Sequence, residues 1–331
     1  MKGLIILLIA FAIFPASGKD LKFAVVPKFY GVFFDQSKTG CKEAAAELEG
    51  VECIYRGPEK ADVRVQDKII KQLINEGVDG IAVAVTQSDF LARSSIKKAR
   101  EAGIPVVTYD SDFESSDLEK HNNLRMAYIG TNNVELGRAL GEELKKLRPS
   151  GGKLIIQSGR PDSPNLNLRI MGIRSALSGK VYEAPPGDRL KDDNGWTEVR
   201  DIVFNFDKID RSVQQMERVL QGQPVESDSF IAVGGWPQND EQLYRDMIDP
   251  FKEKLNHMDM TIVISDASSA QLAMLGDRLA HANIGQNPSE MGRQAIFTLY
   301  KIVKNEQYKK TIYTPVRHCT QENYDRCTKR F

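Results

Sequence analysis

A few polar, charged and aromatic side chains stand out because each falls where an apolar run ends. Lys28 follows Leu21–Val26 and Pro27, with Phe33 and Phe34 close behind; Asp110 and Ser111 follow Ile104–Thr108; Thr131 follows Met126–Ile129. Phe206 closes the run Ile202–Phe206, Trp236 follows Phe230–Val233 and two glycines, Asp266 follows Thr261–Ile264, and Gln286 follows Ala282–Gly285. Asn165, Asn167 and Arg169 enter a helical stretch after the run Lys153–Gln157. A carboxylate accepts two hydroxyl hydrogen bonds at once, a guanidinium offers a rigid fork of donors, and an amide both gives and accepts. Aromatic rings cover apolar faces while polar groups read an edge. Together these residue types suit a small polyhydroxylated ligand.

Each residue also has a plainer reading. Asp110 suits a turn and Asp266 a helix N-cap before Ala267-Ser268-Ser269. Arg169 suits a solvated helix face, and Phe33 and Phe34 suit a core. Trp236 beside Gly234-Gly235 fits a core poorly, because paired glycines mark special dihedrals or close backbone approach. The argument rests on the joint pattern. Asp110 and Asp266 could also serve as an acid/base pair. Against catalysis, the chain has no nucleophile elbow, phosphate loop or Gly-x-Gly-x-x-Gly, and His121, His257, His281 and His318 fall at no metal spacing. A non-enzyme with no cofactor and no metal is expected.

The elements that must position these residues alternate along the chain. Short apolar runs (21–26, 51–55, 80–85, 104–108) are separated by stretches of helical spacing (33–48, 63–75, 89–102). The rhythm restarts with 126–129, 132–147, 153–157 and 166–177, then continues through runs at 202–206, 230–233, 261–264, 282–285 and 312–316. Continuous apolar strands between amphipathic helices mean parallel sheets covered on both faces. The expected fold class is α/β, two doubly wound parallel-sheet lobes in succession. Such sheets bind ligands beyond the carboxyl ends of their strands, so two facing lobes place the selected residues around one cleft. Residues 185–200, with Pro-Pro-Gly and Asp192-Asp193-Asn194-Gly195, read as a long polar surface loop.

The 331 residues carry 45 basic and 45 acidic side chains, so no basic field calls for nucleic acid. Residues 1–18 hold Lys2, an apolar run Leu4–Phe14 and then Pro15-Ala16-Ser17-Gly18, the pattern of a secretory signal cleaved near Gly18. That run is too short to span a bilayer of about 30 Å. Four cysteines in an exported chain permit disulfides. Local pairing of Cys41 with Cys53 and Cys319 with Cys327 is one of three connectivities, with four free thiols the alternative.

In order and spacing, Val25-Val26-Pro27-Lys28 with Phe33-Phe34, residues 104–112, residues 128–133, Asn165-Leu166-Asn167-Leu168-Arg169, Gly234-Gly235-Trp236-Pro237, and Gly285-Gln286 with Glu290-Met291-Gly292 resemble the periplasmic sugar-binding proteins of the ribose-binding type. The resemblance covers about residues 21–327. It implies a type I periplasmic binding protein with a three-strand hinge, an N-terminal lobe of 19–131 plus 287–314 and a C-terminal lobe of 132–286 plus 315–331. Crossings fall at Thr131-Asn132, at Gln286-Asn287 and near Pro315. It further implies stacking by Phe34, Phe33 and the opposing Phe206, hydroxyl binding by Asp110, Asp266 and Arg169, and a hinge-side amide in Gln286. The chain departs from ribose binders at Ser111, where they place an arginine, and at Gly235-Trp236, where they place Asn-Asp. Lys28 and the Asp-Ser-Asp run are similar to the rhamnose- and quorum-signal-binding branch. The partners implied are a monosaccharide and the membrane permease of an ABC importer, with a sensor kinase or chemoreceptor as the other reader of the same event. The protein is expected to be a periplasmic monomer.

Overall fold

The computed structural model describes residues 20–121 and 123–327; the signal segment expected at 1–18 lies outside them. Five strands come first: β1 (Leu21–Val26), β2 (Val51–Tyr55), β3 (Gly80–Val83), β4 (Val106–Tyr109) and β5 (Tyr128–Gly130). Then follow β6 (Gly152–Ser158), β7 (Lys191–Asp193), β8 (Trp196–Glu198), β9 (Val203–Phe204), β10 (Ser229–Ala232), β11 (Thr261–Ser265) and β12 (Ala282–Gly285). The last two are β13 (Thr311–Tyr313) and β14 (Arg317–Thr320). One sheet runs β13-β5-β4-β3-β1-β2 and the other β14-β12-β11-β10-β6-β8-β7, with β9 also on β6. Every residue of β3, β4 and β11 is buried, as parallel strands covered by helices on both faces must be. The chain passes between the sheets three times: after β5, after β12, and between β13 and β14.

Two helix pairs lock the lobes through reciprocal glycines. A Cβ on Gly40 would lie 1.8 Å from the Ser289 carbonyl oxygen, and one on Gly292 2.0 Å from that of Ser37. In the second lobe, a Cβ on Gly137 would lie 2.0 Å from the Arg169 oxygen and one on Gly172 2.1 Å from that of Val134. The helices Asn133–Leu147 and Pro164–Ser178 therefore meet backbone to backbone, which fixes where Arg169 starts.

Three expected elements differ. The helix expected over 89–102 is two, Ser88–Arg93 and Ser95–Glu101. Asp67 breaks it, taking the Ser95 N–H at 2.9 Å and the Ser94 hydroxyl at 3.1 Å, a competing local bond of the kind that starts a new helix. The run 312–316 is divided between the sheets, because Thr314-Pro315 crosses from β13 to β14, and β14 pairs antiparallel with β12. The segment 185–200 is a loop only in part, with strands at Lys191–Asp193 and Trp196–Glu198. Its Asp-Asp-Asn-Gly stretch turns a hairpin, β7–β8, that extends the second sheet beside β6, with Leu190 and Trp196 buried in the core. Disulfides join Cys41 to Cys53 and Cys319 to Cys327.

Candidate functional site

The carboxyl ends of β1, β4, β9, β10, β11 and β12 converge between the lobes. Three aspartates leave their strands with left-handed backbone, Asp110 at φ 59°, Asp207 at φ 60° and Asp266 at φ 72°. Such geometry is uncommon outside glycine and best tolerated by Asp and Asn, and strain of this kind gathers at ligand sites. The left-handed residue turns the chain sharply, so each carboxylate projects from the strand end into the gap.

Arg169 is the centre of the polar network. Its Nε donates to Asn133 Oδ1 at 2.9 Å, its Nη1 to the Val233 carbonyl at 2.8 Å, and its Nη2 to Gln286 Oε1 at 2.9 Å. Thr131 Oγ1 donates to the same Gln286 oxygen at 2.8 Å. The Gln286 Nε2 donates to Asp266 Oδ1 at 2.7 Å, and the Gly235 N–H to Asp266 Oδ2 at 2.9 Å. Asp266 is not a helix cap: Ser268 caps the next helix, in a capping box with Gln271. Across the cleft, Lys28 Nζ stands 3.9 Å from Asp110, and Ser111 Oγ donates to Asn165 Oδ1 at 3.5 Å.

The aromatic side is built in layers. Phe34 is buried and meets Phe29, Phe33 and Tyr109 edge to face at 5.3, 5.0 and 6.3 Å between centroids. Opposite, the Trp236 indole occupies space that only glycines leave, since Cβ atoms on Gly159 and Gly234 would lie 2.7 and 2.6 Å from its ring.

Burial dominates the electrostatics. It pushes the carboxyl of Asp110 above the usual range against the pull of Lys28 and Arg169. It raises Asp207 too, with Lys28, Arg160 and a hydrogen bond from Trp236 opposing. Desolvation lowers the Lys28 ammonium, and Asp110 partly restores it.

Of the residues singled out from sequence, Lys28, Phe33, Phe34, Asp110, Asn165, Arg169, Trp236, Asp266 and Gln286 line one cavity of about 70 Å³. Ser111 and Thr131 lie just behind it on Asn165 and Gln286. Two others stand apart. Asn167 turns away and donates to the Pro161 carbonyl at 2.9 Å. Phe206 is 42% exposed, with the Arg211 guanidinium 4.9 Å from its ring centre, and its neighbour Asp207 faces the cavity instead. β9 ends at Phe204 and both Phe206 and Asp207 are left-handed; the chain turns there, so the alternation of a strand no longer decides which side chain faces the gap. Phe29, Ser163 and Asn239 also line the cavity without having carried any signal in sequence. A larger hollow, about 1460 Å³, opens at the opposite ends of β3 and β4 around Val78 and Ile104, away from these groups.

Two hinged α/β lobes that enclose acids, an arginine fork and aromatic rings define a solute-binding protein. The chain belongs to the periplasmic binding protein domain family, whose model matches residues 23–307. Over 311 residues it is 24% identical to the ribose import binding protein of Bacillus subtilis, covering 92% of this chain and 90% of that one. A xylose/arabinose-binding protein of Sulfolobus acidocaldarius is 29% identical over 152 residues, 44% of this chain and only 37% of the relative. Among solved structures, an ABC transporter solute-binding protein of Burkholderia graminis, in complex with D-arabinose, is 28% identical with a TM-score of 0.78, covering 93% of this chain and 98% of that one.

Proposed function

We propose that this protein is an exported receptor that binds a small sugar between its lobes and passes it to an ABC importer. The observation that carries the reading is the convergence of Asp110, Asp266 and Arg169 with Phe34 and Trp236 on one cavity between the lobes. Carboxylates and a guanidinium read hydroxyl edges while rings cover the apolar face of a pyranose or furanose. Relatives named as ribose import and xylose/arabinose-binding proteins, and the relative solved with D-arabinose, support a sugar and an importer.

The mechanism is hinge closure about the three crossings, with lobes of 19–131 plus 287–314 and 132–286 plus 315–331. A ligand that bridges both lobes stabilises the closed form in proportion to its extra contacts there. The closed pair of lobes is then what the permease recognises, and the protein acts as a periplasmic monomer after cleavage near Gly18. It binds without chemical change, since Arg169, Asp266 and Gln286 hold one another in a fixed network suited to recognition. A thermal-shift and calorimetric panel of pentoses, hexoses, deoxysugars and polyols tests this. One sugar should bind at micromolar Kd or tighter, about −8 kcal/mol, and Arg169→Ala should abolish it. A panel with no heat and no shift on folded protein overturns the reading.

A further inference from the structure

The charges of the cleft do not cancel. Its ionisable side chains are Lys28 and Arg169 against Asp110, Asp207 and Asp266. The neighbouring Arg160 and Asp162 pair with each other through two hydrogen bonds of 2.9 Å and leave that imbalance unchanged. Arg169 is held by three neutral acceptors, Asp266 by two neutral donors, Gln286 and Gly235, and Lys28 and Asp110 face each other. Among the described residues Asp207 has no cation within ion-pair distance; its burial is opposed by the more distant charges of Lys28 and Arg160 and by a hydrogen bond from Trp236. It also stands beside Phe206, at the place where an apolar ring was expected to cover the ligand.

We propose that the cleft selects a small sugar carrying one protonated amine, with the ammonium seated on Asp207. The inference rests on the reading of the cleft as a sugar site and names the class of sugar. A carboxylate partly enclosed between two lobes, with one neutral donor and no cation against it, is costly to keep charged. An ammonium supplies three donors and the missing charge. A neutral hydroxyl at the same position leaves the charge uncompensated, so the site discriminates between the two by what it fails to satisfy.

The test is titration calorimetry of the purified protein with D-glucosamine, D-galactosamine and D-mannosamine, each beside its parent hexose and its N-acetyl derivative, at neutral pH and low salt. At least one amine should bind about tenfold or more tighter than its own parent and its N-acetyl form. In Asp207→Asn, checked for an intact melting transition, that ratio should fall to roughly threefold or less. Parent hexoses that bind as tightly as the amines overturn the inference and leave the sugar receptor standing. So does a preference for amines that persists in Asp207→Asn. Silence from every sugar in both this set and the broader panel removes the receptor reading and this inference with it.

Discussion

Arg169 and Gln286 are 117 residues apart in sequence and joined by a 2.9 Å hydrogen bond from Nη2 to Oε1. The other end of the Gln286 amide donates to Asp266 Oδ1 at 2.7 Å. A single amide thus orients both the arginine and the acid of the second lobe, and Thr131 ties it to the crossing after β5. Replacing it by an isosteric apolar group, Gln286→Leu, leaves an arginine donor and a carboxylate oxygen short of partners, at about 1.5–3 kcal/mol for each bond to a charged group. Calorimetry with the identified sugar should show affinity falling at least about tenfold.

Asp207 predicts a pH-dependent gain in stability. Burial raises its carboxyl above the usual range, so between about 3.9, the ordinary aspartate value, and its folded value the native state holds more protons than the unfolded one. Its influence on stability is therefore least harmful below the ordinary value and grows adverse as pH rises through the folded one. Asp207→Asn removes the titrating charge. The ligand-free variant should melt roughly 2 °C or more above wild type at pH 7, and the difference should shrink as pH is lowered toward about 4. Melting curves across that range check it, and a gain independent of pH would refute the charge argument.

Gly137 never touches the cavity, yet it sets the height of Arg169. A Cβ there would meet the Arg169 carbonyl oxygen at 2.0 Å and its carbonyl carbon at 2.7 Å, and backbone cannot swing aside as a side chain does. Gly137→Ala should force the helices apart at a cost of about 1–3 kcal/mol. It should also weaken sugar binding by roughly tenfold or more through the displaced guanidinium. Gly40→Ala carries a comparable clash against Ser289 without touching Arg169. It should cost similar stability with a smaller loss of affinity.

Much of this architecture was legible because parallel strands write themselves as short apolar runs. The residue after such a run is the one a doubly wound sheet presents to its ligand. That reasoning brought Asp110, Asp266 and Gln286 to one cavity. It misplaced Phe206 because two successive left-handed residues end β9 early, and nothing in the apolar pattern marks a turn made by Phe and Asp. Asn167 lies on the same helix as Arg169, but a helix presents only one face to the gap, and two residues' separation is enough to point Asn167 elsewhere. The β7–β8 hairpin was hidden for a different reason. Its turn is rich in loop residues, while Leu190 and Trp196 are buried in a core shared with residues of the sequence-distant β6 and of the helix Pro164–Ser178.

The anchor of that hairpin supplies the last prediction. Arg174 Nε and Nη2 donate to the two oxygens of Glu198, each at 2.7 Å, with the side chains only 5% and 1% exposed. Glu198 Oε1 also accepts the Leu190 N–H at 3.1 Å, and Arg174 Nη1 donates to the Gly187 carbonyl at 2.7 Å, so the pair stitches the hairpin and the segment leading into it to the helix. Glu198→Ala leaves a buried guanidinium without its counter-charge, which costs about 3–5 kcal/mol. Urea unfolding followed by tryptophan fluorescence should register that loss. The double change Arg174→Met with Glu198→Leu removes both charges and fills their space, and a buried pair replaced in this way is often neutral or better in stability. It should therefore recover most of what Glu198→Ala loses. If the double variant is as unstable as the single one, the hairpin is held by the backbone contacts of Arg174 rather than by the ion pair.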